Sequence, residues 1–174
     1  MMIPDRTDRT IPDKTDRTLI VALQKNAQLR LEDLAKLVHM VPSSVHERLR
    51  RLTSEGVIRG WTINIDADAF GLNVLAYIGV RASKPCSKLM PAMESIAAIE
   101  ECHSVAGENG LLLKVRVEST AALLELVERL RQIPGVEGTE SSIVLKTQFD
   151  RPTPLPEMIP SIESARQRRA ERDR

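Results

Sequence analysis

Between Leu31 and Gly56 the apolar positions keep a helical rhythm, break it once, and resume it. Leu31, Leu34, Ala35 and Val38 stand at i, i+3, i+4 and i+7, a single stripe from which Glu32, Asp33 and Lys36 are turned away. After His39-Met40-Val41 a second helix is predicted. Pro42 suits its first turn, where the missing N–H has no intrahelical use, and Val45, Leu49 and Leu52 form its inward stripe. At about 100° per residue, Ser43, Ser44, His46, Glu47, Arg50 and Arg51 fall on the outward arc, with Arg48 at its edge. Gly56 ends the helix as a left-handed cap would. A third helix precedes the pair, Asp13 to Lys25, with Asp13 as N-cap, Asp16 at the third position, and Leu19, Ile20 and Leu23 facing inward. From Val57 to Ile65, apolar and polar residues alternate around Trp61, which predicts a strand.

From Val74 the rhythm changes. A strand over Val74 to Arg81 precedes a helix within Ser87 to Ala98, where Pro91 is tolerable only in the first turn. Ile99 to Ala106 and Leu111 to Glu118 are predicted strands, joined by Gly107-Glu108-Asn109-Gly110, a hairpin signal. Ser119 caps a helix carrying Leu123, Val127 and Leu130, which Pro134-Gly135 stops, and Val136 to Phe149 supplies a last strand. The order β-α-β-β-α-β is the ferredoxin-like split arrangement, an antiparallel sheet with both helices on one face. The fold class is therefore α+β. Its organisation is an arm at 1–12, a helix-turn-helix domain at 13–56, a strand linker at 57–73, a ferredoxin-like effector-binding and oligomerisation domain at 74–150, and a Pro-rich and basic tail at 151–174. Ile78, Val80, Leu112 and Val115 imply apolar surface on both sides of the sheet, and a second copy of the domain is the simplest cover.

Two helices with a tight turn between them form a tool for entering the major groove of double-stranded DNA. On the second helix, short polar groups come first and arginines later. That order assigns Ser43, Ser44, His46 and Glu47 to base edges and Arg50 and Arg51 mainly to phosphates, with Arg48 also in the DNA-binding set. Charge supports this division. The whole chain is nearly neutral, with 25 Lys and Arg against 24 Asp and Glu. Residues 13–64, however, carry nine Lys or Arg against six Asp or Glu, and residues 65–150 carry eight against twelve. Only the first segment is built to approach phosphate. A protein that coats or bends DNA with little sequence choice would use the same reader.

Other chemistries find little support. Cys102 and His103 are neighbours on a strand and point to opposite faces, so they form no nucleophile–base pair, and no phosphate-binding glycine loop appears. His39, His46 and His103 are scattered without metal-ligand spacing. The expectation is a non-enzyme without metal or cofactor. No apolar run approaches the length of a membrane span, and the first ten residues lack an apolar signal core, which points to the cytoplasm.

In sequence order, Asp16-Arg17, Leu34-Ala35, Arg48 with Arg51-Leu52, Gly56-Val57-Ile58 with Gly60, and Gly71 before the sheet make the chain similar to one family. It resembles the leucine-responsive/AsnC (feast/famine) transcription regulators over residues 13 to about 150. The resemblance implies a winged or simple helix-turn-helix reader, a regulatory ferredoxin-like domain that dimerises and often assembles into octamers, and a small effector, usually an amino acid. It places that effector near Gly107, Glu108, Asn109 and Gly110. Closely spaced glycines there let backbone N–H groups approach a ligand carboxylate, while Glu108 or Asn109 meets an ammonium group. Dimerisation is expected through the strand containing Trp61 and Ile63, a two-fold protein matching a pseudo-palindromic site. Three departures from the family pattern stand out. Arg30 and Val41 replace the usual Ser or Thr helix caps, His39 replaces Gly at the turn, and Gly110 stands where Asp is common.

The ends carry their own signals. Ile3 to Thr10, IPDRTDRT, is repeated as Ile11 to Thr18, IPDKTDRT, and the second copy already belongs to the first helix, so the first reads as an added arm. Pro152, Pro154, Pro156 and Pro160 make the start of the tail an extended spacer, and it ends in RQRRAERDR, whose arginines are diluted by Glu171 and Asp173.

Overall fold

The computed structural model describes residues 11–155. The arm before Ile11 and the tail after Leu155 lie outside the described residues. The chain divides into two compact units: one runs to Ile63 and takes up the chain again from Asp150, and the other is Asn64–Phe149.

Among the described residues the first unit contains three helices, α1 (Lys14–Lys25), α2 (Leu31–Val38) and α3 (Pro42–Ser54). Asp13 and Asp16 close a full capping box at the start of α1, each side chain accepting the other's amide, at 2.8 and 3.1 Å. Leu19, Leu23, Leu34, Ala35 and Val45 form the core, with Leu31, Val38 and Leu49 packed on its margin. The stripes of α2 and α3 are therefore those of the sequence. No side chain caps α2 at Arg30 or α3 at Val41. The turn between them needs a left-handed residue, and His39 adopts φ 54°, ψ 45° there, a conformation that a non-glycine residue holds only when its surroundings fix it. Its amide bonds the Lys36 carbonyl and that of Met40 bonds Ala35, closing α2. Gly56, at φ 68°, ends α3 as expected, and the Val57 and Ile58 amides both return to the Leu52 carbonyl.

Among the described residues the alternation from Val57 to Ile65 does not become a strand. Residues 59–65 pair with no strand, and Trp61, Ile63 and Ile65 are exposed. A period-two pattern specifies a pleated surface but not its neighbour, and among the described residues none lies alongside.

The second unit opens with a single 3-10 turn at Asp68–Phe70, closed by Gly71 at φ 77°. Its sheet contains β1 (Val74–Ala82), β2 (Ile99–Ser104), β3 (Leu111–Val117) and β4 (Val136–Ile143), in the order β2-β3-β1-β4 with every neighbour antiparallel. A 3-10 turn and the short α4 (Met90–Glu94) lie between β1 and β2, with Pro91 in the first turn, and α5 (Thr120–Arg131) lies between β3 and β4. Ser119 Oγ caps α5 by accepting from the Ala122 amide at 3.1 Å. This is the expected β-α-β-β-α-β arrangement. The core lies on the helix side, where Ile78, Val80, Leu113 and Val115 meet Leu89, Met93, Leu123 and Leu130.

Two sequence expectations are corrected here. β4 stops at Ile143 and does not continue to Phe149, because its partner β1 begins at Val74; one further bond, Val144 amide to Leu75 carbonyl, finishes the ladder. Of the four residues read as apolar on both sides of the sheet, Ile78, Val80 and Val115 all face the helices. Only Leu112 lies on the open face. There it is joined by Leu75 and Tyr77 and by an ionic lattice: Arg116 to Glu100 at 2.6 Å, Lys114 to Glu101 at 2.9 Å and to Glu100 at 3.2 Å, and His103 to Glu101 at 2.9 Å.

Candidate nucleic-acid interface and effector loop

The first half of α3 faces outward. Ser43, His46 and Glu47 are exposed and Ser44 is half-buried, so short polar side chains occupy the turn that a recognition helix aims at base edges.

Past that turn the arginines divide. Arg48 Nη1 donates to Asp13 Oδ2 at 2.6 Å and to Asp16 Oδ1 at 2.9 Å, and Arg51 Nη2 donates to Asp16 Oδ2 at 2.6 Å. Asp16 is fully buried. A buried carboxylate is very unfavourable without partners, and these two guanidiniums supply them. Arg48 and Arg51 therefore rivet α3 to α1, a correction to their reading as outward phosphate contacts. Arg48 is held protonated more firmly than usual, first by Asp13 and then by Asp16. The Asp13 carboxyl is held below the ordinary range by the Asp16 amide first and by Arg48 second. The signal for this network was present in the sequence: Asp16 lies on the inward stripe of α1 with Leu19 and Leu23, and an acid on an apolar stripe needs a cation from elsewhere.

Arg50 remains on the outer face, where its Nε and Nη2 bond Glu47 Oε2 and Oε1 at 3.1 and 2.9 Å. The pair keeps Arg50 protonated and lowers the Glu47 carboxyl below its usual value. Both side chains are more than 60% exposed, at 71% and 63%. Solvent and salt screen such an exposed pair, so little holds Arg50 against a competing anion.

β2 and β3 are joined as a hairpin by the loop that contains Gly107–Gly110, as the sequence predicts. The Val105 amide bonds the Gly110 carbonyl at 3.1 Å, and positive φ falls on Gly107, at 130°, not on Asn109 or Gly110. Asn109 folds back over the sheet, where Nδ2 donates to Glu140 Oε2 at 3.4 Å and lies directly above Gly79. A Cβ on Gly79 would come within 2.5 Å of that nitrogen. Cys86 Sγ backs the loop from the other side, 3.6 Å from the Gly110 carbonyl oxygen, while Glu108 is exposed. Sequence reasoning missed Gly79, Cys86 and Glu140. Only Gly79 carried a signal, since glycine inside an apolar strand marks a close approach.

Among the described residues no group of His, Cys, Asp or Glu could hold a metal ion, and no helix is long and apolar enough to cross a membrane.

Two family descriptions match this arrangement: "Winged helix-turn-helix DNA-binding" over residues 12–59 and "Lrp/AsnC ligand binding domain" over residues 75–154. The chain belongs to the Lrp/AsnC family. It is 34% identical over 140 residues to the HTH-type transcriptional regulator FL11 of Pyrococcus horikoshii, a match spanning 79% of this chain and 91% of that relative. With LrpA of Mycobacterium tuberculosis it shares 35% identity over 133 residues, 75% of this chain and 88% of the relative. Among solved structures, the feast or famine regulatory protein from M. tuberculosis complexed with L-methionine is similar at a TM-score of 0.78 and 34% identity, covering 84% of this chain and 100% of that one. A Neisseria meningitidis transcriptional regulator, also complexed with L-Met, has a TM-score of 0.78 at 26% identity, covering 84% of this chain and 99% of that one. This member of the Lrp/AsnC family is thus a DNA-binding transcriptional regulator with a separate ligand-binding domain.

Proposed function

We propose that this Lrp/AsnC-family chain is a cytoplasmic, sequence-specific regulator, without enzymatic activity, that binds double-stranded DNA as a dimer and answers to an amino acid. The observation that carries the reading is the outward turn of α3, where Ser43, Ser44, His46 and Glu47 present hydrogen-bonding groups free of the core. Arg50 beside them takes the phosphate role, exchanging Glu47 for the DNA backbone.

Dimerisation uses two surfaces. Trp61 and Ile63, at 55% and 82% exposure, lie on a segment whose alternation suits pairing with a copy of itself. The open sheet face offers Leu75, Tyr77 and Leu112 within a charged lattice, a mixture suited to a self-complementary interface; assembly of dimers to an octamer follows the family. The ligand is held at Gly107–Gly110, where the exposed Glu108 receives the ammonium group and backbone amides the carboxylate. Methionine, present in two related structures, is the first candidate.

The test is competition binding to the chain's own upstream region against random DNA at fixed salt. A specific regulator gives a ratio of 10³ or more, whereas a ratio near unity would turn the reading toward a coating protein. Calorimetric titration with the twenty amino acids, on wild type and on Glu108→Ala, tests the effector. Failure of every one to bind rejects the amino-acid assignment, and undiminished binding to Glu108→Ala rejects that residue's role.

A further inference from the structure

Both cysteines of the 174-residue chain lie in the sheet domain, and both are free thiols. Cys86 opens the 3-10 turn Cys86–Lys88, which continues through the helical backbone of Leu89 into α4, whose first residue is Met90. Cys102 lies on β2, opposite Leu113 of β3. Cys86, Met90 and Cys102 are all partly buried and pack on the margin of the same core, so the three sulfur-bearing side chains share the helix side of the sheet. The Cys102 thiol donates to the Met90 thioether with the two sulfurs 4.0 Å apart. Charge on Cys86 also reaches Cys102: burial first, then Cys86, then Glu94, holds the Cys102 thiol above its ordinary value.

We propose that Cys86, Met90 and Cys102 bind one soft, thiophilic metal ion, Cu(I), through two thiolates and a thioether. Two sulfurs each about 2.3 Å from a shared ion, at a trigonal angle of about 120°, stand about 4.0 Å apart. Met90 and Cys102 already have that separation. Cys86 is the third donor, and on binding it gives up only a weak contact with the Gly110 carbonyl oxygen, 3.6 Å from its Sγ.

The donors select the ion. Among the described residues no group of His, Cys, Asp or Glu alone could hold a metal, so the third donor here is a thioether. Structural zinc takes four donors, mostly thiolate and imidazole, and hard cations take oxygen, whereas thiolate with thioether in a half-buried apolar setting is the preference of Cu(I). Binding needs no change of oxidation state. Two thiols become thiolates, their two protons pass to solvent, and three metal–sulfur bonds form. The Gly110 carbonyl that Cys86 contacts also accepts from the Val105 amide at 3.1 Å, the bond that closes the loop between β2 and β3. An ion held by Cys86 therefore acts one contact away from that loop, whatever ligand the loop takes.

The test uses the reduced full-length protein without oxygen, with Cu(I) presented as its complex with the chromophoric chelator bicinchoninate. The proposal expects one equivalent of Cu(I) per chain to leave the chelator, and X-ray absorption of the loaded protein to show three sulfurs at about 2.3 Å. Cys86→Ser and Cys102→Ser should each weaken binding at least about 100-fold, and Met90→Leu, which nearly conserves volume, at least about fivefold. The absorption measurement needs no variant, so it decides the matter even where a substitution disturbs folding. No transfer, one ion per two chains, fewer than three sulfurs or any nitrogen or oxygen ligand would overturn the proposal, as would wild-type affinity in any of the three variants. Displacement of Cu(I) by equimolar Zn(II) would overturn the choice of ion.

Discussion

Replacing Arg51 with alanine separates two roles that a helical wheel cannot. If Arg51 sits on a phosphate, its loss weakens DNA binding by one contact and leaves the fold alone. In the structure it bonds Asp16 at 2.6 Å, and Asp16 is fully buried. The variant leaves that carboxylate with Arg48 at 2.9 Å and the Asp13 amide at 3.1 Å. Loss of one charge-assisted hydrogen bond to a buried acceptor costs about 1.5–3 kcal/mol, whereas Asp16→Ala, which takes Asp16 from Arg51 and leaves Arg48 with Asp13, costs about 3–5 kcal/mol. The Asp16→Ala figure belongs near the lower end, because the Arg48 and Arg51 side chains are 27% and 35% exposed and regain water. A 2 kcal/mol loss raises the open fraction of the reader about 30-fold.

Hydrogen exchange resolved by element reads this directly, since it reports local opening without requiring the two units to unfold together. In Arg51→Ala, amides of α1 and α3 should exchange roughly 10- to 100-fold faster while those of β1 and β3 keep their rates. DNA affinity should fall with an unchanged salt slope. Unchanged exchange in α1 and α3, combined with a salt slope smaller by about one, would falsify the rivet and return Arg51 to the phosphate backbone.

Arg50→Ala should behave in the opposite way, weakening binding to all sequences and lowering the salt slope by about one with no change in exchange, while Ser44→Ala or His46→Ala shifts site preference; competition binding over a salt series checks both. On pH, the Asp13 and Glu101 carboxyls lie below their ordinary values of 3.8 and 4.5, Glu101 through His103 first and then Lys114, and Lys114 lies above 10.5 chiefly through Glu101. The carboxylate contributions are therefore complete above those ordinary values and lost as pH falls through the folded ones. The Lys114 contribution is complete below 10.5 and lost as pH rises through its folded value, so denaturation midpoints should show these groups contributing a flat plateau across neutral pH. Gly79→Ala should destabilise the sheet domain by about 1–3 kcal/mol through the Asn109 amide, and adding Asn109→Ala should recover most of it. No recovery in that double-mutant cycle would mean that Asn109 is not what crowds Gly79.

The features the sequence made legible are those whose cause is local. The Asp13–Asp16 capping box, the left-handed His39, the Gly56 stop and the Ser119 cap each depend on groups within a few residues, and each is present. The apolar rhythms of α2, α3 and the sheet were likewise readable, because burial of one face is a property of each element's own pattern. What could not be read depends on a partner distant in the chain. The wheel puts Arg51 on the outward arc and Arg48 at its edge, yet both turn toward an acid 32 to 35 positions earlier. The Asn109-Gly110 pair has the chemistry of a tight turn, yet the Asn109 amide is drawn to Glu140, 31 positions away, across a glycine that leaves room for it. The same reasoning applies to Val57–Ile65, where the alternation is real but no strand among the described residues accepts it. That pattern, with Trp61, Ile63 and Ile65 exposed, is what motivates the proposed dimer contact, because exposed apolar groups gain burial when a second surface is brought to them.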